Sequence, residues 1–403
     1  MARLRVGVFF GSRSVEHDVS IITARQVMAA LDPARYQVVP VYLDEDGRWL
    51  VGEALATAPL PTFKQQAARL PGVVEAVLLP DPQRRALVVR GGGWFGGRRE
   101  LPPLDVAFPC LHGTYGEDGT IQGLFELANL PYVGSGVTGS AVGMDKILMK
   151  AAFRAAGLPV VDSVWFTSAD WQRSSAAVLD RIEAQLPYPL YVKPANLGSS
   201  VGISRADERN SLEYAIEVAL RYDRRILVEQ GLEEIIEVNC AVLGNDDPQP
   251  SLCEQPLRWQ EVLTYEDKYL AGGKGQGMAG ARRQIPAPIG EALTREVQRL
   301  AVEAFRAIDG AGTARVDTLV RLRDGKVWVN EINTLPGSLA FYLWEPLGVS
   351  FSQLCDRLID LAFERHRTKQ GRVTRFDNAL LQQAAGLKLR GEQPPAERPR
   401  ITS

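Results

Sequence analysis

The sequence predicts an α/β protein, α+β in part, with an open α/β sheet at its N-terminal end and two further sheet-bearing regions behind it. Three observations lead there. Short apolar runs alternate with helical periodicity early in the chain, and two of them end in glycine or histidine, at Phe10-Gly11 and at Leu111-His112-Gly113. Two strand-like stretches flank a glycine-rich tip at Gly198-Ser199-Ser200-Val201-Gly202. Two more flank the turn Arg323-Asp324-Gly325-Lys326.

The elements follow in order. Arg5 to Phe10 is an apolar strand ending in Gly11, and Val19 to Leu31 is helical. Gln37 to Leu43 and Trp49 to Val51 are short strands around Asp44-Glu45-Asp46-Gly47. Val106 to Leu111 is a strand ending at His112-Gly113. Ligands of open α/β sheets sit beyond the carboxyl ends of strands, so Gly11 and His112 mark the edge of a site. Val142 to Ala156 reads as one helix, capped by Gly157 and stopped by Pro159. Tyr191 to Arg205 is a hairpin, Ser211 to Tyr222 a helix and Ile226 to Glu229 a strand. A third α/β region begins near Gln230. Within it, residues 271–280 hold five glycines and should be mobile. The last thirty or so residues are rich in charge, Pro and Gln and carry no signal of packed structure.

Composition narrows the function classes. The 403 residues are 45% hydrophobic and carry a formal net charge of −2, without a basic block, which gives no sign of a nucleic-acid partner. No apolar run is long enough to span a bilayer, so no membrane role is expected. Met1-Ala2-Arg3-Leu4-Arg5 leads into a strand almost at once, leaving no room for a signal peptide. Cys110, Cys240, Cys253 and Cys355 lack a C-x-x-C spacing and read as reduced core residues of a cytoplasmic protein.

The chemistry concentrates in Ala314-Arg315-Val316-Asp317 and Asn330-Glu331-Ile332-Asn333. A hairpin brings the two strands together. Glu331 and Asn333 are two apart and share a face, which Asp317 meets from its partner strand. Two carboxylates and an amide oxygen are hard donors suited to Mg²⁺ beside substrate phosphates. Arg315 is a permanent cation placed to stabilise charge developing during phosphoryl transfer; the plainer reading is an ion pair with Asp317. The Gly198–Gly202 tip, just after Lys193, suits a backbone cover over phosphates; the plainer reading is a surface hairpin.

Nine stretches together resemble the D-alanine–D-alanine ligase family of the ATP-grasp superfamily. They are F-G-S-R-S-V-E-H-D-V-S (10–20), L-H-G-T-Y-G-E-D-G-T-I-Q-G (111–123), P-Y-V-G-S-G-V (131–137), M-D-K (144–146), V-K-P-A-N-L-G-S-S-V-G-I-S (192–204), A-V-L-G-N (241–245), Y-E-D-K-Y (265–269), A-R-V-D (314–317) and N-E-I-N-T-L-P-G (330–337). The resemblance implies three domains, an N-terminal substrate domain over 1–134 and two ATP-grasp lobes enclosing ATP over 135–230 and 231–370, with a polar tail at 371–403. It implies that ATP phosphorylates the carboxylate of one D-alanine and that the amine of a second attacks the acylphosphate, for peptidoglycan synthesis. A homodimer is expected. So are ATP and Mg²⁺ or Mn²⁺, as two ions held by Asp317, Glu331 and Asn333.

The resemblance also assigns roles. Lys146 and Lys193 go to the ATP phosphates, with Ser200, Leu232 and Glu229 around the nucleotide and Glu237 on the ribose. Glu16 holds the ammonium of the first D-alanine and His112 lies near its carboxylate. Ser199 and Tyr269 link across the site to Glu16, and Lys268 reaches the γ-phosphate from a mobile loop. Tyr269 argues for an amino acid rather than D-lactate as second substrate. Gly337, Ser338, Tyr342 and Leu343 surround that second substrate. His17 and His366 are left as structural. Four departures stand out. Tyr342 replaces a small or hydroxyl residue, Leu263-Thr264 replaces a common tyrosine and aspartate, and the 271–280 insert and the tail after about residue 370 lack a counterpart. The first motivates an alternative in which D-serine or another amino acid is joined second. A catalytically silent nucleotide-binding module should have lost one of Lys193, Arg315, Asp317, Glu331 or Asn333, and all five are present.

Overall fold

Val6, Val8 and Phe10 point to one face of the first strand and Phe9 to the other, and all four are buried. Burial on both faces is what a strand needs at the centre of a parallel sheet. In the computed structural model, which describes residues 3–60, 66–90, 99–198, 201–257 and 283–373, six strands build this sheet. They are β1 (Leu4–Gly11), β2 (Tyr36–Leu43), β3 (Trp49–Val51), β4 (Val74–Leu78), β5 (Leu87–Val89) and β6 (Val106–Pro109), in the order β5-β4-β3-β2-β1-β6. β2, β1 and β6 are parallel, whereas β3, β4 and β5 are added antiparallel. Helix α1 (His17–Ala30) packs Ile21, Ala24, Val27 and Met28 against Val6, Val8 and Phe10. The strand expected over Val106 to Leu111 stops at Pro109, and Cys110 N–H still donates to Phe9 O (2.7 Å).

Helix α2 (Thr120–Leu127) follows, and then the helix expected over Val142 to Ala156 proves to be two, α3 (Val137–Met144) and α4 (Lys146–Ala155). Asp145 is the break. Its backbone is extended (φ −89°, ψ 103°), and its carboxylate accepts the N–H groups of Ile147 (3.1 Å) and Leu148 (3.0 Å). Apolar periodicity does not register such an N-cap.

The second sheet is antiparallel, β7-β10-β8-β9, from β7 (Ser163–Thr167), β8 (Leu190–Pro194), β9 (Ser204–Ala206) and β10 (Arg225–Gln230). Of its helices α5 (Ser168–Arg173), α6 (Ser175–Gln185) and α7 (Arg209–Ala219), the last two close its core through Val178, Ile182, Leu212 and Ile216. The third sheet runs β13-β12-β11-β14-β15, with β11 (Ile235–Gly244), β12 (Gln249–Pro256), β13 (Arg283–Gln284), β14 (Gly312–Arg321) and β15 (Lys326–Asn333). Helix α8 (Glu291–Ala307) lays Val297, Leu300, Ala301, Ala304 and Phe305 on it. After β15 the chain docks on α1, where Leu335, Leu339 and Leu343 join the core of the first sheet. Helix α9 (Phe351–Gln370) is the last regular element among the described residues.

Residues 1–366 form one compact unit, and a second unit begins at Arg367. The 271–280 stretch, Leu263-Thr264 and almost all of the 371–403 tail lie outside the described residues. The four cysteines are buried free thiols. No described helix is long and apolar enough to cross a membrane.

Candidate active site

The face that carries Asp317 and Glu331 exists because β15 holds one extra residue. Arg315 pairs with Asn333, Val316 with Ile332 and Asp317 with Glu331, but Thr318 then pairs with Val329, leaving Asn330 as a bulge. Val327, Val329 and Ile332 all pack into the core beneath α8. Strict alternation from Val327 and Val329 would send Glu331 into that core as well. The bulge resets the alternation, so Glu331 and Asn333 join Arg315 and Asp317 on the opposite face.

That face lines a cleft of about 200 Å³. Arg315 grips Asp317 by two bonds, Nε to Oδ1 (2.6 Å) and Nη2 to Oδ2 (2.7 Å), and Asn333 Nδ2 donates to Oδ2 (3.1 Å). Burial raises the Asp317 pKa to about 6 against the pull of Arg315, with Glu237 and Glu331 adding like charge. Burial disfavours the Arg315 cation too, but Asp317 outweighs it and keeps the guanidinium charged. Among the described residues no group of three or more His, Cys, Asp or Glu gathers as a metal cage. Two opposed carboxylates and one amide still fit Mg²⁺, which completes its shell with waters and substrate phosphates.

The other wall carries lysines. Lys193 on β8 pairs with Leu227, and Tyr191 with Glu229 on β10, so Lys193 and Glu229 meet diagonally on one face. Lys193 Nζ lies 2.5 Å from Glu229 Oε2. Lys150 Nζ lies 2.7 Å from Oε1 of the same carboxylate. Burial alone would raise Glu229, but the two ammoniums hold it down at about 2. Lys146 opens α4 directly after the Asp145 cap; its Nζ donates to Leu197 O (2.7 Å) and lies 4.0 Å from Glu331 Oε2. Leu232 and Glu237 line the same cleft.

At the far end Glu16 precedes α1 and is buried. A Cβ on Gly113 would come within 2.7 Å of Glu16 Oε2, and one on Gly198 within 2.6 Å. Glu16 is therefore wedged between the loop after β6 and the β8–β9 tip, and glycine is what leaves it room. His112 Nε2 pairs with Thr23 Oγ1 (2.9 Å), which also accepts Ser338 N–H (3.2 Å). Burial pushes His112 down to about 4, so its ring is neutral at pH 7. Its 4.0 Å approach to Glu117 is then no ion pair.

The cleft thus gathers Glu16, His112, Lys146, Lys193, Glu229, Leu232, Glu237, Arg315, Asp317, Glu331, Asn333 and Gly337. Ser338, Tyr342 and Leu343 are buried and are not among its lining residues. Tyr342 O–H donates to Glu254 Oε1 (3.2 Å), and Arg283 lies over its ring (3.7 Å) while bonding Glu254 (2.8 Å). Ser199, Ser200, Lys268 and Tyr269 lie outside the described residues.

Sequence reasoning passed over four residues here: Lys150, Glu117, Glu254 and Arg283. Glu117 accepts N–H bonds from Gly113 (2.7 Å) and Leu335 (3.1 Å), tying the loop after β6 to the segment after β15. Burial first, then Glu16, pushes it up to about 8. Its place in H-G-T-Y-G-E was the available signal. For Lys150 the signal was its spacing of four from Lys146 on one helix.

Comparison with known proteins agrees with this geometry. The D-ala D-ala ligase N-terminus family matches residues 5–135, and the D-ala D-ala ligase C-terminus family matches 152–360. The chain is 42% identical to the D-alanine–D-alanine ligase of Solibacter usitatus over 378 residues, 93% of this chain and 99% of that one. It is 42% identical to the Geobacillus thermodenitrificans enzyme over 372 residues, 91% and 98% of the two chains. Among solved structures, the Coxiella burnetii D-alanine–D-alanine ligase superposes with a TM-score of 0.74 at 32% identity, covering 92% of this chain and 97% of that one. The VanG D-Ala:D-Ser ligase of Enterococcus faecalis gives 0.76 at 29%, covering 90% and 100%. The three sheets, the lysine-lined cleft and the carboxylate hairpin are those of an ATP-grasp fold, and the chain belongs to the D-alanine–D-alanine ligase family.

Proposed function

We infer that this chain is an ATP-dependent ligase that joins two D-alanines through a D-alanyl phosphate, for peptidoglycan precursor synthesis. One observation carries the reading: a single cleft holds the Lys146–Lys193 wall, the Arg315–Asp317–Glu331–Asn333 face and the wedged Glu16. Lys146 and Lys193 take the ATP phosphates. Glu237 takes the ribose hydroxyls, Leu232 and the neighbourhood of Glu229 flank the base, and Ser200 covers the phosphates. Glu16 holds the ammonium of the first D-alanine beside the neutral His112. A carboxylate oxygen of that D-alanine attacks the γ-phosphorus, and ADP leaves.

Arg315 keeps Nη1 for the developing charge while Asp317 fixes its other edge, an orientation set before the reaction begins. The second amine then attacks the acyl carbon. A C–N bond forms, the C–O bond to phosphate breaks, and the amine gives up a proton. Asp317, Glu331 and Asn333 would hold the divalent ions, Mg²⁺ or Mn²⁺ and two in number. Such ions neutralise phosphate charge during transfer. Ser199, Lys268 and Tyr269 are assigned to the cover that excludes water from the acylphosphate. Gly337 faces the second amino acid, and Ser338, Tyr342 and Leu343 stand behind it.

The domains are drawn at 1–134, 135–230 and 231–370, with a tail at 371–403, in a cytoplasmic homodimer. D-serine or another amino acid as second substrate is the competing reading. It rests on Tyr342, which stands where the family resemblance implies a small or hydroxyl side chain and whose hydroxyl is committed to Glu254. The test is phosphate release with ATP, Mg²⁺ and single or paired D- and L-amino acids, with products identified by mass. D-alanine alone should release phosphate and yield the dipeptide. Turnover only when a different amino acid is added would overturn the choice of second substrate.

A further inference from the structure

Lys150 is a charged side chain in a place where charge is costly. It is 1% exposed, with Nζ 2.7 Å from Glu229 Oε1 and 3.3 Å from Asn330 O. Burial lowers its pKa against the pull of Glu229, and Lys193 adds to the lowering. A buried lysine with one carboxylate for itself needs no further account. Here the carboxylate is shared, because Lys193 sits 2.5 Å from its other oxygen. Among themselves these two cations and one anion carry a net charge of +1, with Glu331 the next carboxylate to act on Lys193. Removing Lys150 alone would leave a neutral Lys193–Glu229 pair, which fits a buried site better. The surplus cation is therefore poorly explained by stability.

Its contacts point toward the cleft. Asn330 is the bulge residue that turns Glu331 to the cleft face, and its carbonyl is one of the two groups Lys150 contacts. Glu229 is the counter-ion that would otherwise hold the Lys193 ammonium alone. We propose that Lys150 is a positioning residue for the nucleotide: it competes for Glu229, loosens the hold of that carboxylate on Lys193, and leaves the cleft wall with an excess positive charge that a polyphosphate neutralises. Lys150 touches neither nucleotide nor amino acid. It acts through Lys193 and through the Asn330 bulge.

This inference rests on the reading of the cleft as an ATP site, and the test separates the two. Binding of ATP, ADP and adenosine is measured by calorimetry on the wild-type chain, Lys150→Met and Lys150→Arg, with melting temperatures alongside. A surplus charge acts on phosphates and not on the nucleoside. Lys150→Met should weaken ATP about tenfold and ADP less, leave adenosine unchanged and keep its melting temperature; Lys150→Arg should recover most of the ATP affinity. Equal losses for ATP and adenosine, or no loss for either, would overturn the proposal and leave the nucleotide site standing. A wild-type chain that binds no ATP would remove both. Should Lys150→Met fail to fold, Lys150→Gln, which keeps a donor for Asn330 O, is read by the same ratio.

Discussion

Replacing Arg315 by methionine should expose how much of this face depends on one buried ion pair. The guanidinium makes two bonds to Asp317, at 2.6 and 2.7 Å, and both side chains are under a tenth exposed. In the variant Asp317 keeps only the Asn333 amide at 3.1 Å, with Glu331 opposite it on the next strand. Breaking a buried pair from one side costs about 3–5 kcal/mol, because the remaining charge is left uncompensated. Unfolding entropy is about 2 cal/mol/K per residue. Over 403 residues that entropy is roughly 0.8 kcal/mol/K, so a loss of about 4 kcal/mol lowers Tm by about 5 °C.

The double variant Arg315→Met/Asp317→Asn removes the stranded charge and should regain most of that loss. Phosphate release should fall by a factor of about 10² or more in both, since neither retains the cation for the developing charge. Thermal unfolding in chelator, paired with a phosphate-release assay, gives both numbers. A shift under about 1 °C for Arg315→Met, or a double variant as unstable as the single one, would refute the claim that Arg315 compensates Asp317.

Three further outcomes are expected. Gly198→Ala places a methyl 2.6 Å from Glu16 Oε2 and must displace that carboxylate; KM for the first D-alanine should rise about tenfold with KM for ATP little changed, and equal rises in both would argue against it. Asp145→Ala removes two N-cap bonds and the ion pair with Arg225; a loss of about 1–2 kcal/mol in urea unfolding should accompany a raised KM for ATP, because Lys146 starts the helix that Asp145 caps. Glu117 is held near 8 in the folded state against 4.5 ordinarily, so the folded protein binds the extra proton within that window and stability falls as pH rises through it; Glu117→Gln should flatten this slope, and urea midpoints with the same pH dependence in both proteins would count against the assignment.

Much of the site could be read from local signals. The Arg323–Lys326 turn placed Asp317 opposite Glu331 as found; the Gly198–Gly202 tip was read as a close-approach loop, but the packing of Gly113 and Gly198 on Glu16 was not foreseen. What stayed hidden depends on contacts between distant segments or on single residues that break a period. The Asn330 bulge is invisible in a run of strand-forming residues, yet it decides which way Glu331 points. Asp145 splits a helix whose apolar spacing continues through it. The Lys150–Glu229 contact joins a helix to a strand about eighty residues away, and the commitment of Tyr342 to Glu254 joins two segments still further apart. Of the antiparallel half of the first sheet, β3 was read as Trp49 to Val51, but β4 and β5 were missed because they are short and lie among turns and 3₁₀ segments.

The central chemical claim is that the carboxylate of one D-alanine becomes an acylphosphate before the amine attacks. D-alanine labelled with heavy oxygen in its carboxylate, incubated with ATP, Mg²⁺ and the full chain, tests it by mass spectrometry of the released phosphate. Transfer of the γ-phosphoryl group to that carboxylate puts one labelled oxygen into every phosphate released as the dipeptide forms. Dipeptide formed alongside unlabelled phosphate would contradict it.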